Sequence, residues 1–273
     1  MDCNILTIDN ANMLTFRMLM ANLQVMELVK FDDMRKLEKA IKNLDASGIT
    51  DFYRNVINKM KSEGEKYGDQ SLRVLSWILY AARPLKVEEL VEALAVGEND
   101  KELRKRYMTR PERIVEMCDP LVDYDMHTRV IKFTHETVRE FLNQQCKDDL
   151  YPPQELAKTC LHYLGLIDFD EPAPNEKALE IRLRTRCFTK YACEFWGYHA
   201  RGAPKDETDI EEITIRVLET ANRMQAVAQI NRYASLAQFD IPQNTTLFHN
   251  LALNGLTTLC RRLLDKTMQT GGR

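Results

Sequence analysis

The stretch from residue 121 to residue 133 reads LVDYDMHTRVIKF, and the interpretation of the whole sequence depends on it. Two short runs, 121–124 and 129–133, contain β-branched and aromatic residues, which is typical of strands. The four residues between them, 125–128, read DMHT and suit a turn. The stretch therefore predicts one antiparallel β-hairpin, and it is the only clear β pattern in the sequence.

Helical patterns surround this hairpin. Glycine and proline are scarce, with 10 Gly and 9 Pro in 273 residues, and residues 1–47 contain neither, which favours long helices. Apolar residues at helical spacing predict three helices before the hairpin, at about 69–82, 87–94 and 111–118, and one directly after it. Three helices closed by a hairpin form the winged-helix arrangement. The predicted fold is therefore mainly α, with a winged-helix domain that carries one small β-hairpin.

Further helical stripes flank this domain. Upstream, three stripes over 14–28, 34–44 and 49–60 form either a free-standing bundle or the edge of a larger preceding domain. Downstream, after Pro152-Pro153, further stripes predict a helical linker, and the last stripe, 213–227, predicts one continuous helix. The predicted domains are a helical subdomain at 1–66, the winged helix at 67–150, the linker at 151–240 and a C-terminal helix pair at 241–273.

Composition excludes several classes of function. There are 38 Lys+Arg against 41 Asp+Glu, a net charge of −3, so the chain has no general basic footprint for nucleic acid. Neither G-x-x-x-x-G-K-[ST] nor G-x-G-x-x-G nor G-x-S-x-G occurs in the sequence. Seven irregularly spaced cysteines and the lack of a signal or membrane-spanning pattern predict a cytoplasmic chain with reduced thiols. We expect no enzyme activity and no membrane span.

Several motifs, taken in order, resemble a known family. They are Leu75-Ser76-Trp77-Ile78, Ala82-Arg83-Pro84-Leu85, Cys118-Asp119-Pro120-Leu121-Val122 and Phe133-Thr134-His135-Glu136-Thr137-Val138. This order is similar to the region that follows the ATPase core in NACHT-type STAND proteins, which are signalling NTPases, many of them fungal, that end in ankyrin repeats. The resemblance implies a regulatory, protein-interacting region that docks on an NTPase core in the same protein. Because no phosphate-binding loop is present, this chain alone should bind no cofactor, and ADP or ATP would come only with an upstream NTPase domain.

The resemblance assigns a role to His135. In such families a histidine after the hairpin contacts the β-phosphate of ADP, and His135 is the matching position. Thr137 and Glu140 fit a capping box, which would put His135 just before a helix N-terminus, where anions are favoured. The alternative is a histidine that only hydrogen-bonds its own strand–helix corner. His127, at the hairpin tip, is a solvated turn residue by comparison.

The C-terminal end resembles the opening of an ankyrin repeat. Residues 246–255 read TLFHNLALNG, with Leu247 in place of the usual proline. The matching positions Thr246, His249 and Gly255 are the candidate interaction residues, and the resemblance implies ankyrin-bound protein partners. A lone repeat cannot bury its apolar face, so it should continue a stack or cap the preceding helices.

Other chemistry has weaker support. Cys187, Cys193 and His199 would point in different directions around a helix, so no metal site is predicted. The aromatic stripe that includes Tyr191 and Trp196 favours core packing over base stacking.

A winged helix also suggests DNA binding, but the third helix carries Glu112 and Glu116, which would repel phosphate. Two alternatives stay open beside the regulatory region: a free-standing helical and ankyrin scaffold, and a DNA-binding winged helix.

Overall fold

A computed structural model of the protein describes residues 49–62, 67–98, 100–201, 208–242 and 246–270. Within these ranges the chain forms twelve α-helices, three short 3₁₀ turns and one two-stranded sheet. The helices are α1 Ile49–Ser62, α2 Tyr67–Tyr80, α3 Val87–Ala95, α4 Pro111–Cys118, α5 Glu136–Gln145, α6 Pro153–Leu164, α7 Glu176–Thr185, α8 Thr189–Ala200, α9 Thr208–Leu218, α10 Ala221–Leu236, α11 Leu247–Leu253 and α12 Thr257–Thr270. The mainly α fold with one hairpin is confirmed. The predicted stripes at 14–28 and 34–44 lie outside the described residues.

The hairpin pairs β1 Val122–Asp125 with β2 Val130–Phe133. The strands are antiparallel, with Val122 opposite Phe133 and Asp125 opposite Val130. The turn is therefore 126–129, one residue later than the sequence predicted. Asp125 stays in the strand because its carboxylate accepts the N–H groups of His127 and Thr128, and these bonds lower the pKa of that carboxyl.

The segment before α3 runs beside the hairpin. Ile131 donates its N–H to the Leu85 carbonyl at 3.2 Å, and Val87 donates to the Arg129 carbonyl at 2.8 Å. Helices α2, α3 and α4, this segment, the hairpin and α5 together complete the winged-helix arrangement. Pro84 lies in the segment after α2, and Pro111 is in the first turn of α4.

The helices beyond residue 150 share one core with the winged helix. The Trp77 ring of α2 packs edge-on against Phe188 and Tyr191, with centroids 5.4 Å and 5.8 Å away. Helix α8 packs closely on α6 and also contacts α10, while α6 contacts α2, α3 and α9. All these buried side chains belong to a single continuous cluster. The winged helix and the following helices are therefore packed as one body.

The continuous helix predicted over 213–227 is instead two helices. Helix α9 ends at Leu218 and α10 begins at Ala221, because Thr220 has an extended backbone. Helix α10 then contacts α11, which pairs with α12. None of the helices in the described parts of the chain is long and apolar enough to cross a membrane.

Candidate functional site

The predicted sensor His135 lies at the corner between β2 and α5. It is the N-cap residue of α5, so the helix begins at Glu136, and the predicted capping box of Thr137 and Glu140 is wrong. The Nδ1 atom of His135 accepts the N–H of Thr137 at 3.2 Å and lies 3.0 Å from the Thr137 hydroxyl. The side chain is thus locally bonded, as the alternative interpretation expected. Its contact with a nucleotide stays a prediction.

The tautomer of His135 follows from this bond. A neutral imidazole has one acceptor and one donor nitrogen, and Nδ1 is the acceptor here. The proton is therefore on Nε2, for which the described residues supply no hydrogen-bond partner. Because the side chain is half-buried at a helix N-terminus, this N–H donor is suited to an anionic oxygen. The corner can donate one oriented hydrogen bond.

Tyr53 of α1 contacts the residues of α5 next to His135. The Tyr53 hydroxyl lies 2.9 Å from the Thr137 hydroxyl, and its ring packs against Phe141 of α5 at 5.4 Å between centroids. Tyr53 is only 1% exposed, and burial raises its pKa. The sequence analysis assigned α1 to a separate subdomain and missed Tyr53. Tyr53 lies four residues before Ile57 and seven before Met60, which are also buried. This helical spacing is the sequence signal that could have placed Tyr53 on the buried face of α1.

A second polar site joins α3 to the later helices. The carboxylate of Glu92, 6% exposed, accepts the Tyr163 hydroxyl at 2.6 Å and the Phe188 N–H at 2.9 Å. Burial and this carboxylate raise the pKa of Tyr163 well above its usual range. Nearby, Arg83 makes a two-pronged ion pair with Glu89, at 2.9 Å and 2.7 Å. Nothing in the helical periodicity distinguishes Glu92 from a solvated glutamate, so sequence analysis could not find it.

The aromatic stripe is confirmed as core. Phe188, Tyr191 and Trp196 are fully buried. The Tyr191 hydroxyl accepts the Ala82 N–H at 2.9 Å and lies 2.8 Å from Nε2 of His199. Because Nε2 is the one acceptor within hydrogen-bond distance of this hydroxyl among the described residues, we assign the hydroxyl as the donor to Nε2. The proton of His199 is therefore on Nδ1, which has no partner in the described structure. Burial lowers the pKa of His199 to about 4.

The cysteines of this region are buried thiols. Cys160 and Cys193 are fully buried, and desolvation raises the pKa of both. Within the described ranges, no three His, Cys, Asp or Glu side chains are arranged to hold a metal ion. Cys187 donates its S–H to the Arg184 carbonyl, 3.7 Å away. This thiol also fits a structural role.

The candidate interaction residues of the C-terminal helix pair form a local motif. The Thr246 hydroxyl accepts the His249 N–H at 3.4 Å, and Nδ1 of His249 accepts the Thr246 N–H at 3.2 Å. This reciprocal capping starts α11. Gly255, with φ of 66°, makes the turn into α12, where a left-handed backbone favours glycine. The structure thus brings Thr246 and His249 together, and Gly255 closes the same helix pair.

The third helix of the winged helix presents an unfavourable face to DNA. The exposed side chains of α4 include Glu112, Arg113 and Glu116, and Arg113 is paired with Glu116 at 3.2 Å. A helix that reads the major groove offers cations and amides to the bases and phosphates. This face instead offers two carboxylates and a neutralised arginine.

One comparison with known proteins matches the winged-helix part of this architecture. Residues 58–151 match the winged helix domain of GPI inositol-deacylase. A Monascus ruber protein described as azaphilone pigments biosynthesis cluster protein L is 25% identical over 174 residues, which cover 57% of this chain and 36% of that protein. The chain thus spans about a third of this relative's length. No solved structure matches the chain.

Proposed function

We propose that the chain is a non-catalytic regulatory and protein-interaction region of a NACHT/STAND-type ankyrin-repeat signalling protein in the cytoplasm. In this proposal the winged helix docks on a nucleotide-bound ATPase core, and the C-terminal helix pair opens an ankyrin array for protein partners. The winged-helix match over 58–151 and the similarity to a fungal protein support it. The observation that carries the proposal is the His135 corner, with its oriented Nε2–H donor.

The chemistry of the corner suits a phosphate oxygen. Thr137 holds Nδ1 of His135 as an acceptor, and Tyr53 lies hydrogen-bonded behind Thr137. The imidazole therefore keeps its Nε2–H directed away from its own helix, and the N-terminal end of α5 adds a favourable field for negative charge. ADP would be held mainly by the upstream domain, and His135 would donate one hydrogen bond to its β-phosphate. Loss of that bond should favour release of ADP.

The test separates nucleotide contact from helix capping. In the full-length protein that contains the NTPase domain, His135→Asn keeps an N-cap side chain but removes the Nε2–H donor, whereas His135→Ala removes both. We expect ADP to dissociate about tenfold faster in both variants, as for the loss of one charge-assisted hydrogen bond. The melting temperature should fall only in the alanine variant. Release is followed with a fluorescent ADP, and oligomerisation by light scattering.

The control is His127→Ala at the exposed hairpin tip, which should change neither ADP release nor the oligomeric state. Unchanged ADP release in both His135 variants would contradict the sensor role. That result would favour the second candidate, a free-standing helical scaffold. The continuous core shared by the winged helix and the later helices supports this candidate, because such a core needs no NTPase domain to complete it.

A further inference from the structure

Residues 101–110, between α3 and α4, form a surface segment of opposite charge to the rest of the chain. We call it the basic segment. It reads KELRKRYMTR, with five cations and one carboxylate, for a net charge of +4. Because the whole chain has a net charge of −3, the remaining residues have a net charge of −7. The segment is therefore a local excess of positive charge on a chain that is acidic overall.

The cations of the basic segment are exposed and have no carboxylate partner within ion-pair distance among the described residues. They are Lys101, Arg104, Lys105, Arg106 and Arg110. Arginines elsewhere are commonly paired, as Arg83 is with Glu89 and Arg186 with Asp168. A cluster of unpaired cations repels itself, and a partner of opposite charge relieves that repulsion.

The backbone of the basic segment is held in place by the fold. Leu103 is buried in the core at 7% exposure. The Lys101 carbonyl accepts the Ile167 N–H at 2.9 Å, and the Gln70 amide donates to the Thr109 hydroxyl at 2.6 Å. A 3₁₀ turn, Lys105–Tyr107, lies between these anchors. Binding would therefore cost less ordering of the backbone than binding by a free tail.

An exposed aromatic residue stands within the same segment. Tyr107 is 47% exposed, and the Arg106 guanidinium lies 4.9 Å from its ring centroid and donates to its hydroxyl at 3.0 Å. Arginine and tyrosine are among the side chains most enriched at the energetic centres of protein interfaces. The arrangement is a pre-formed contact with a polar rim of cations.

We propose that the basic segment is a docking surface for an acidic segment of a protein partner. The planar guanidinium groups match carboxylates in a two-pronged geometry, and Tyr107 offers apolar contact area. A protein partner is favoured over nucleic acid because the cations are confined to ten residues, while the rest of the chain has a net charge of −7. A short acidic peptide can be matched by these ten residues, whereas a nucleic acid needs a longer basic surface along its phosphate backbone. The proposal goes beyond the regulatory function above and does not depend on an NTPase domain.

The test uses the 273-residue chain and a fluorescein-labelled glutamate-rich 12-residue peptide as the probe. The variant Arg104→Glu/Lys105→Glu/Arg106→Glu reverses the basic segment. The matched control, Lys132→Glu/Lys147→Glu/Lys177→Glu, changes net charge by the same amount at other exposed positions. We expect the dissociation constant to rise at least tenfold in the segment variant and less than threefold in the control. Tyr107→Ala should weaken binding severalfold with no change of charge.

Three results would overturn this proposal. One is equal weakening in the segment variant and its control, which would mean non-specific attraction. Another is tighter binding to a 20-base-pair DNA duplex than to the peptide at the same salt concentration. The third is self-association of the chain that the segment variant abolishes, which would make the occupant a second copy. None of them bears on ADP release by the His135 variants, so the two proposals fail separately.

Discussion

At the scale of single residues, buried polar groups join the winged helix to the helices beyond residue 150. Glu92 of α3 satisfies the Tyr163 hydroxyl of α6 and the N–H of Phe188, the N-cap residue of α8; both lie beyond the winged helix. Without the carboxylate, both donors would be buried and unpaired. A buried unsatisfied donor costs more than the hydrogen bond itself contributes. Glu92 therefore contributes to stability out of proportion to its size.

Replacing Glu92 tests this role. Glu92→Ala should lower the free energy of unfolding by about 3 kcal/mol, whereas Glu92→Gln, whose amide oxygen can still accept, should lower it by about 1 kcal/mol. The control Glu88→Ala removes a more exposed glutamate of the same helix that pairs with Arg129, and surface pairs contribute little. Urea unfolding followed by circular dichroism measures all three. Equal losses in the two alanine variants would contradict the assignment.

At the scale of secondary-structure elements, the sequence predicted the hairpin and its surrounding helices because their patterns are local. The β-branched and aromatic residues of 121–124 and 129–133 and the prolines at 84 and 111 act within a few residues. The break between α9 and α10 could not be predicted this way, since apolar residues keep helical spacing across Thr220. The N-cap of α5 was misplaced by two residues for a related reason. A Thr-x-x-Glu pattern competed with a histidine that can also cap.

Packing between helices likewise depends on contacts that a single sequence does not encode locally. Gly197 lies in the interior of α8, where glycine is unfavourable for a helix. Its presence there is the one feature of the sequence that points to a close contact at this position. A Cβ atom added there would lie too close to Asn254, at the turn between α11 and α12. The missing side chain therefore allows the C-terminal helix pair to approach α8.

We expect Gly197→Ala to loosen the C-terminal helix pair. Overpacking of this kind typically costs about 1–3 kcal/mol, which corresponds to roughly tenfold to hundredfold faster local opening. Hydrogen exchange should therefore accelerate at Asn250 and Leu251 of α11, while amides of the winged helix keep their protection. Gly197→Ala/Asn254→Gly should restore slow exchange by removing the clash. Faster exchange throughout the chain, or no rescue, would show that the close contact is not the cause.

At the scale of the whole molecule, one core carries the winged helix and the later helices together. Trp77, Tyr191 and His199 pack at its centre, with His199 stacked near Tyr191 and edge-on to Trp77. Protonation of this histidine opposes folding of the entire body, because a charged imidazole would lose both its acceptor nitrogen and its solvation. The pH dependence of global stability should therefore include a contribution from this buried group.

The direction of the effect follows from linkage. His199 has a pKa of about 4 when folded, against 6.5 when exposed, so the unfolded chain binds more protons between these values. Stability is complete above pH 6.5 and is lost as the pH falls towards 4, by about 3 kcal/mol from this group. Burial also lowers the pKa of His162, and carboxylates begin to titrate in the same range. The contribution of His199 is therefore measured as the difference in the free energy of unfolding between the wild type and a variant without the imidazole.

His199→Phe is that variant, since it keeps an aromatic ring in the cluster and cannot bind a proton. It should be less stable than the wild type at pH 7.5, because the Tyr191 hydroxyl loses its acceptor. Between pH 6.5 and pH 4.5 the gap in free energy of unfolding should narrow by about 2–3 kcal/mol. Urea titrations at each pH measure the gap, with exposed His127→Phe as the control whose pH profile stays parallel to the wild type. A constant gap for His199→Phe would mean that His199 titrates normally and that the core around Trp77 admits water.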